Sequence, residues 1–138
     1  MSKAVYIVDA ARTAIGNFLG SLKEIPAHLL TAELIKVITK RNKLSPSNIS
    51  EVILGQVLIG GTGQNPARQA SIAGGIPYAV PAFLVNQVCG SGLRSVIIAA
   101  QNISLGFSNL IIAGGQESMS MSSHAIHLRN KKWGMLTQ

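Results

Sequence analysis

The sequence has 138 residues, 47% hydrophobic and 12% charged, a composition that excludes a disordered chain and suffices for one domain with its own core. Its single cysteine excludes an internal disulfide, and its apolar runs fall short of the roughly 18 residues that span a bilayer. The net charge of +7 raises nucleic acid as a partner, but the basic residues gather in two small groups, Lys36/Lys40/Arg41/Lys43 and Arg129/Lys131/Lys132, without interleaved aromatics or a nucleic-acid motif. The first group sits near the expected end of a helix, where cations complement the dipole. Asp9 and Arg12 interrupt the apolar stretch Ala4–Val8, which is not a signal-peptide layout, so a cytoplasmic location is expected.

In chain order, Ala4–Val8 is short, apolar and β-branched, and predicts a buried strand. Asp9–Gly20 carries turn residues and reads as a loop. From Ala27 to Arg41, the apolar positions Leu30, Leu34, Val37 and Ile38 recur at helical spacing behind Pro26, which predicts an amphipathic helix. Ser45-Pro46-Ser47-Asn48 breaks the chain and is suited to open a short helical turn. Val52–Leu54 reads as a strand ending at Gly55. After the loop Gly60-Gly61-Thr62-Gly63, Asn65 as N-cap and Pro66 at the first position predict a helix that runs to Ala73 and stops at Gly74-Gly75. Phe83–Asn86 is the third strand and Asn109–Ala113 the fourth. Between them, Gly90-Ser91-Gly92 opens a helix to Leu105 that is apolar around most of its circumference, as expected of a helix buried between layers. The tail 118–138 reads as loop or frayed helix. Strands alternating with helices make the fold class α/β with a mixed, mostly parallel sheet.

Cys89 falls at the junction of the third strand and this helix. The free N–H groups and the dipole at a helix start stabilise negative charge, and the thiolate is the nucleophilic form of cysteine. The same N–H groups can hold a developing oxyanion. Gly90 and Gly92 carry no side chains, so a substrate could approach the backbone. A cysteine here could equally pack as a small hydrophobe at a strand end, and position alone leaves both readings open. The glycine segments are not phosphate loops. Gly60–Gly63 lacks the Gly-Lys-Ser/Thr ending of a Walker loop, and Gly90-Ser91-Gly92 lacks the third glycine of a dinucleotide fingerprint.

The stretch Asn86-Gln87-Val88-Cys89-Gly90-Ser91-Gly92-Leu93 resembles the active-site signature of the thiolase family, which includes acetyl-CoA acetyltransferases and 3-ketoacyl-CoA thiolases. Three further stretches resemble the family in the same order: 10–16 (Ala-Ala-Arg-Thr-Ala-Ile-Gly), 63–70 (Gly-Gln-Asn-Pro-Ala-Arg-Gln-Ala) and 113–120 (Ala-Gly-Gly-Gln-Glu-Ser-Met-Ser). The resemblance covers almost the whole chain to about Arg129. It implies a thiolase N-terminal α/β domain over 1–118, with 119–138 beginning the family's loop region. It implies acyl transfer between coenzyme A thioesters in fatty acid metabolism, with Cys89 as the acyl-thioester nucleophile supported by the backbone of Gly90 and Gly92. Coenzyme A thioesters are the expected substrates, no permanently bound cofactor and no metal are expected, and the family's lid region, with most of the coenzyme A contacts, is expected beyond Gln138. Glu117 is expected to be structural, holding the loop after the fourth strand. His124 and His127, three apart, lack a third metal ligand, and His28 is expected to be partly exposed. Met119 and Met121 are expected to pack.

The family also implies a second half carrying an activating histidine and a second cysteine. The chain has one cysteine, so it is expected to be the N-terminal part of a thiolase and not to complete a cycle alone. The buried helix would then show one face to water, which predicts a homo-oligomer or association with a complementary thiolase half. A non-catalytic module docking on a full-length thiolase is the alternative. A related condensing enzyme fits the motifs less well. Neither nucleic acid nor a membrane is an expected partner.

Overall fold

The computed structural model describes residues 4–125. The elements run α1 (Ala27–Arg41), β1 (Glu51–Gly55), α2 (Pro66–Ala73), β2 (Ala82–Val85), α3 (Ser91–Ser104) and β3 (Ile111–Gly115), with 3-10 turns at Pro46–Asn48 and Met119–Met121. Local chemistry sets the helix ends. Asn65 accepts a hydrogen bond from the Arg68 N–H at 3.1 Å and caps α2, with Pro66 next. At the other end Gly75 takes the left-handed conformation, φ 86°, so that its N–H reaches Ile72 O and that of Ile76 reaches Ser71 O. Lys40 and Arg41 occupy the last turn of α1, on the favourable side of its dipole.

β1 is central, in the order β2-β1-β3, and both pairings are parallel. Gly55 at the end of β1 lies opposite Val85 on one side and Gly115 on the other. The chain steps from β1 outward to β2, then back across β1 to β3. Right-handed crossovers therefore place α2 and α3 on opposite faces. Side-chain alternation agrees. Val52 and Leu54 face α2 and join Ile35, Ile49, Ala67, Ala70, Ile76 and Val80 in the main core, while Gly55, out of phase with them, faces α3. α1 packs on α2 as an outer layer.

Several sequence expectations need correction. Ala4–Val8 is not a buried strand. It pairs with no strand among the described residues, and Val5 to Val8 are exposed. β-branched composition favours an extended chain, but only a hydrogen-bonded neighbour turns it into a strand. The segment is tied down at Asp9, whose carboxylate accepts from Arg41 and Asn42 at the end of α1. Arg41, and then Asn42, hold that carboxyl below the usual carboxylate range.

The buried face of α1 is also not the expected one. Ala27, Thr31, Ala32, Ile35 and Thr39 are buried, Leu30, Leu34 and Ile38 are half-buried, and Val37 is exposed. The small residues of α2 explain the choice. A Cβ on Gly74 would stand 2.7 Å from Ile35 Cγ2, so Ile35 fills the space that Gly74 leaves. β2 starts one residue earlier than expected and ends before Asn86, whose side chain enters the following turn. β3 starts at Ile111, because the Asn109 and Leu110 N–H groups turn to Ser50 Oγ at 3.2 and 3.4 Å.

α3 is covered on one side, as expected for this chain alone. Ser91, Ser95 and Ala99 are buried, whereas Leu93 and Ile97 are 69% and 39% exposed. Met119 and Met121 do not pack but are exposed, since the 3-10 turn that carries them lies at the surface. His28 is partly exposed. His127, Arg129, Lys131 and Lys132 lie outside the described residues, as does 126–138 of the expected loop region.

Ile35→Ala is expected to lower unfolding free energy by about 2–4 kcal/mol. Val37→Ala should change it by less than about 0.5 kcal/mol. Urea unfolding followed by circular dichroism measures both, and the opposite ranking would return the core to the Leu34/Val37 face.

Candidate active site

Three parallel strands deliver their carboxyl ends to one edge of the sheet. The loop after β1 leads to α2 on one face, and the loop after β2 leads to α3 on the other. Such a divergence opens a crevice at the strand ends, where α/β folds place ligands. Cys89 lies in the loop after β2, two residues before α3 starts, and its thiol is free and exposed.

α3 sits unusually close to the sheet. A Cβ on Gly55 would stand 2.3 Å from Ser91 C and 2.5 Å from Gly92 N. A Cβ on Gly115 would stand 3.1 Å from Gly92 Cα. Two strand ends and one helix start therefore meet with backbone against backbone. The Ser95 hydroxyl, fully buried one turn on, lies 2.7 Å from both Gly92 O and Gly114 O and ties α3 to β3.

Cys89 follows a strained residue. Val88 has φ 50°, a left-handed conformation that a β-branched side chain adopts at a cost of about 1–3 kcal/mol. Val88 is also 64% exposed, so no apolar burial offsets that cost. Polar contacts do. The Val88 N–H donates to Asn86 Oδ1 at 3.0 Å. Ser91 Oγ accepts from the Gln87 N–H at 2.9 Å and donates to the Val88 carbonyl at 2.6 Å. At about 0.5–1.5 kcal/mol each, three such bonds match the strain. The turn delivers Cys89 to the start of α3, whose first N–H groups have no partner within the helix.

The neighbouring strand-end loops brace this turn. Asn86 Nδ2 donates to Val57 O at 3.3 Å. Glu117 Oε2 accepts from the Val57 N–H at 2.8 Å, and its Oε1 faces the Leu58 N–H at 3.3 Å. Glu117 is thus structural, as expected, although the loop it holds is the one after β1. Beneath it, Gln116 Nε2 donates to Gln56 Oε1 at 2.8 Å, with both side chains buried.

Gly90 and Gly92 both follow the cysteine, Gly90 as the N-cap of α3 and Gly92 within its first turn. A Cβ on Gly92 would stand 3.5 Å from Gly115 Cα, so the approach it permits is that of the sheet. His124 is exposed and lies apart in sequence from every strand end. A cavity of 380 Å³ opens between the loop 11–18, α1 and the loop 115–120. Arg12 and Glu117 line it but Cys89 does not, so it is not a pocket for the thiol. Sequence reasoning passed over Gly55, Gly115, Ser91, Val88 and Asn86. Gly55 and Gly115 look like strand terminators, and a left-handed valine has no signal in composition or periodicity.

Gly55→Ala is expected to cost about 3 kcal/mol or more by pushing α3 off the sheet. Gly60→Ala, whose Cβ meets nothing within 4 Å, should cost less than about 0.5 kcal/mol. Urea unfolding midpoints compare them, and equal effects would show that the helix has room to move.

No helix among the described residues is long and apolar enough to cross a membrane. The cytosolic acetyl-CoA acetyltransferase of Rattus norvegicus is 51% identical over 129 residues, covering 94% of this chain and 32% of that protein. The acetyl-CoA acetyltransferase of Paracoccus denitrificans is 54% identical over 128 residues, covering 93% and 32%. The crystal structure of the Bacillus anthracis acetyl-CoA acetyltransferase superposes with a TM-score of 0.79 at 34% identity, over 89% of this chain and 31% of that one. The chain therefore spans about a third of the length of these relatives. The family model described as "Thiolase, N-terminal domain" matches residues 5–136, and with the parallel sheet and the cysteine at the start of α3 already in place, the chain belongs to the thiolase family through its N-terminal domain.

Proposed function

We propose that this chain supplies the acyl-accepting cysteine for acyl transfer between coenzyme A thioesters. One observation carries the reading: an exposed Cys89 held by a strained turn at the N-terminus of α3, in a chain of the thiolase family. The relatives named acetyl-CoA acetyltransferase make acetyl-CoA the first substrate to consider.

In the proposed reaction, Cys89 Sγ attacks the thioester carbonyl carbon. The bond from that carbon to the coenzyme A sulfur breaks, coenzyme A leaves as a thiolate that takes up a proton, and an acyl-cysteine remains. A second acetyl-CoA then loses a methyl proton to a base. Its carbanion attacks the acyl carbon and expels the cysteine thiolate, giving a 3-ketoacyl-CoA. Thiolysis is the same sequence reversed. Covalent capture splits a difficult condensation into two easier steps. N–H groups at the start of α3 are suited to an oxyanion on the acyl oxygen. The base of the second step is assigned to the second cysteine that the family resemblance implies, and activation of Cys89 to its histidine, both in the two thirds of the relatives' length that this chain does not span. On this reading, coenzyme A thioesters are substrates, the partner is a second copy or a complementary thiolase half, and the setting is cytoplasmic. The bare face of α3 with Leu93 and Ile97 supports a second reading, a module that docks on a full-length thiolase without catalysis.

Incubation of the purified chain with acetyl-CoA, read by intact mass with Cys89→Ala as control, tests the first step. A stoichiometric acetyl adduct absent from the variant is expected. A folded chain that gains no adduct would favour the docking reading.

A further inference from the structure

We infer that Ser91 is a positioning residue for Cys89, holding the left-handed turn at Val88 that presents the thiol to the start of α3. The inference rests on Cys89 being the reactive group. Ser91 is the first residue of α3, but its hydroxyl does not cap the helix. The N-cap is Gly90, and no side chain caps the first turn. The hydroxyl points backwards instead. It accepts from the Gln87 N–H at 2.9 Å and donates to the Val88 carbonyl at 2.6 Å, so it grips the backbone on both sides of the residue at φ 50°. Ser91 is 4% exposed, and the two bonds it makes are part-buried. Its main chain lies against Gly55 of the sheet, so the grip is anchored to the central strand. Were Val88 to relax to negative φ, the Val88–Cys89 peptide plane would rotate and carry the thiol away from the helix start. Nothing about Val88's own side chain resists this, because a valine favours the relaxed form.

The test is a double-mutant cycle on the full chain, with the rate of Cys89 carboxamidomethylation by iodoacetamide followed by intact mass. Glycine adopts positive φ freely, so Val88→Gly removes the need for the grip. Ser91→Ala in the Val88 background is expected to slow alkylation about tenfold, and in the Val88→Gly background less than about twofold. A serine serving only general stability would show no such dependence on residue 88. Equal slowing in both backgrounds, or no slowing in either, overturns the inference. Should Ser91→Ala fail to fold by circular dichroism, a folded and reactive Ser91→Ala/Val88→Gly chain supports it, and an unfolded one overturns it. Iodoacetamide reports the thiol without acyl-CoA, so a missing acetyl adduct with the coupling intact would count against the proposed reaction and not against the role of Ser91.

Discussion

The structure depends on one steric constraint, the meeting of Gly55, Gly92 and Gly115 with no side chain between them. Parallel pairing sets Gly55 beside Gly115, and α3 lays Gly92 across the pair. A slip of β3 that set Gln116 beside Gly55 would bring a side chain under the helix and reverse the faces of the slipped strand. The contact therefore fixes the register of β1 against β3, the depth of α3 and the place where the helix begins. Ser95 extends the same fit for one turn with a hydroxyl whose single proton is shared between the Gly92 and Gly114 carbonyls.

From this seat the chemistry is built outward. The loops after the three strands hold one another by hydrogen bonds: Glu117 holds the loop after β1, that loop accepts from Asn86, and Asn86 holds the turn before Cys89. A strained turn persists only when its surroundings over-determine it. Here the surroundings are a rigid glycine contact on one side and a hydrogen-bonded set of loops on the other. Strain at Val88 is thus a local cost carried by a framework that does not itself yield.

Much of this was legible in the sequence. Ala27–Arg41 and Pro66–Ala73 carry unambiguous start and stop residues, and the structure forms both helices over those residues. Alternation of strands and helices gave the parallel sheet, and the motif around Cys89 pointed to the proposed nucleophile. What was not legible depends on contacts distant in sequence. Ala4–Val8 has strand composition, but whether it pairs depends on a neighbouring strand. α1 offers two apolar faces, and the choice of Ile35 over Val37 was made by Gly74, some 39 residues further on by the numbering of the two residues. The apolar girth of α3 said that it would be wrapped, not which side this chain itself wraps.

That helix divides its work between two kinds of residue. Towards the sheet it shows Ser91, Ser95 and Ala99, which are small and let the backbone come close. Away from it stand Leu93 and Ile97, which bury little within this chain. Folding and solubility are consequently written on opposite sides of one helix. A bulkier side chain towards the sheet would lift the helix from its seat, and a polar one on the other side would alter only what the helix can meet.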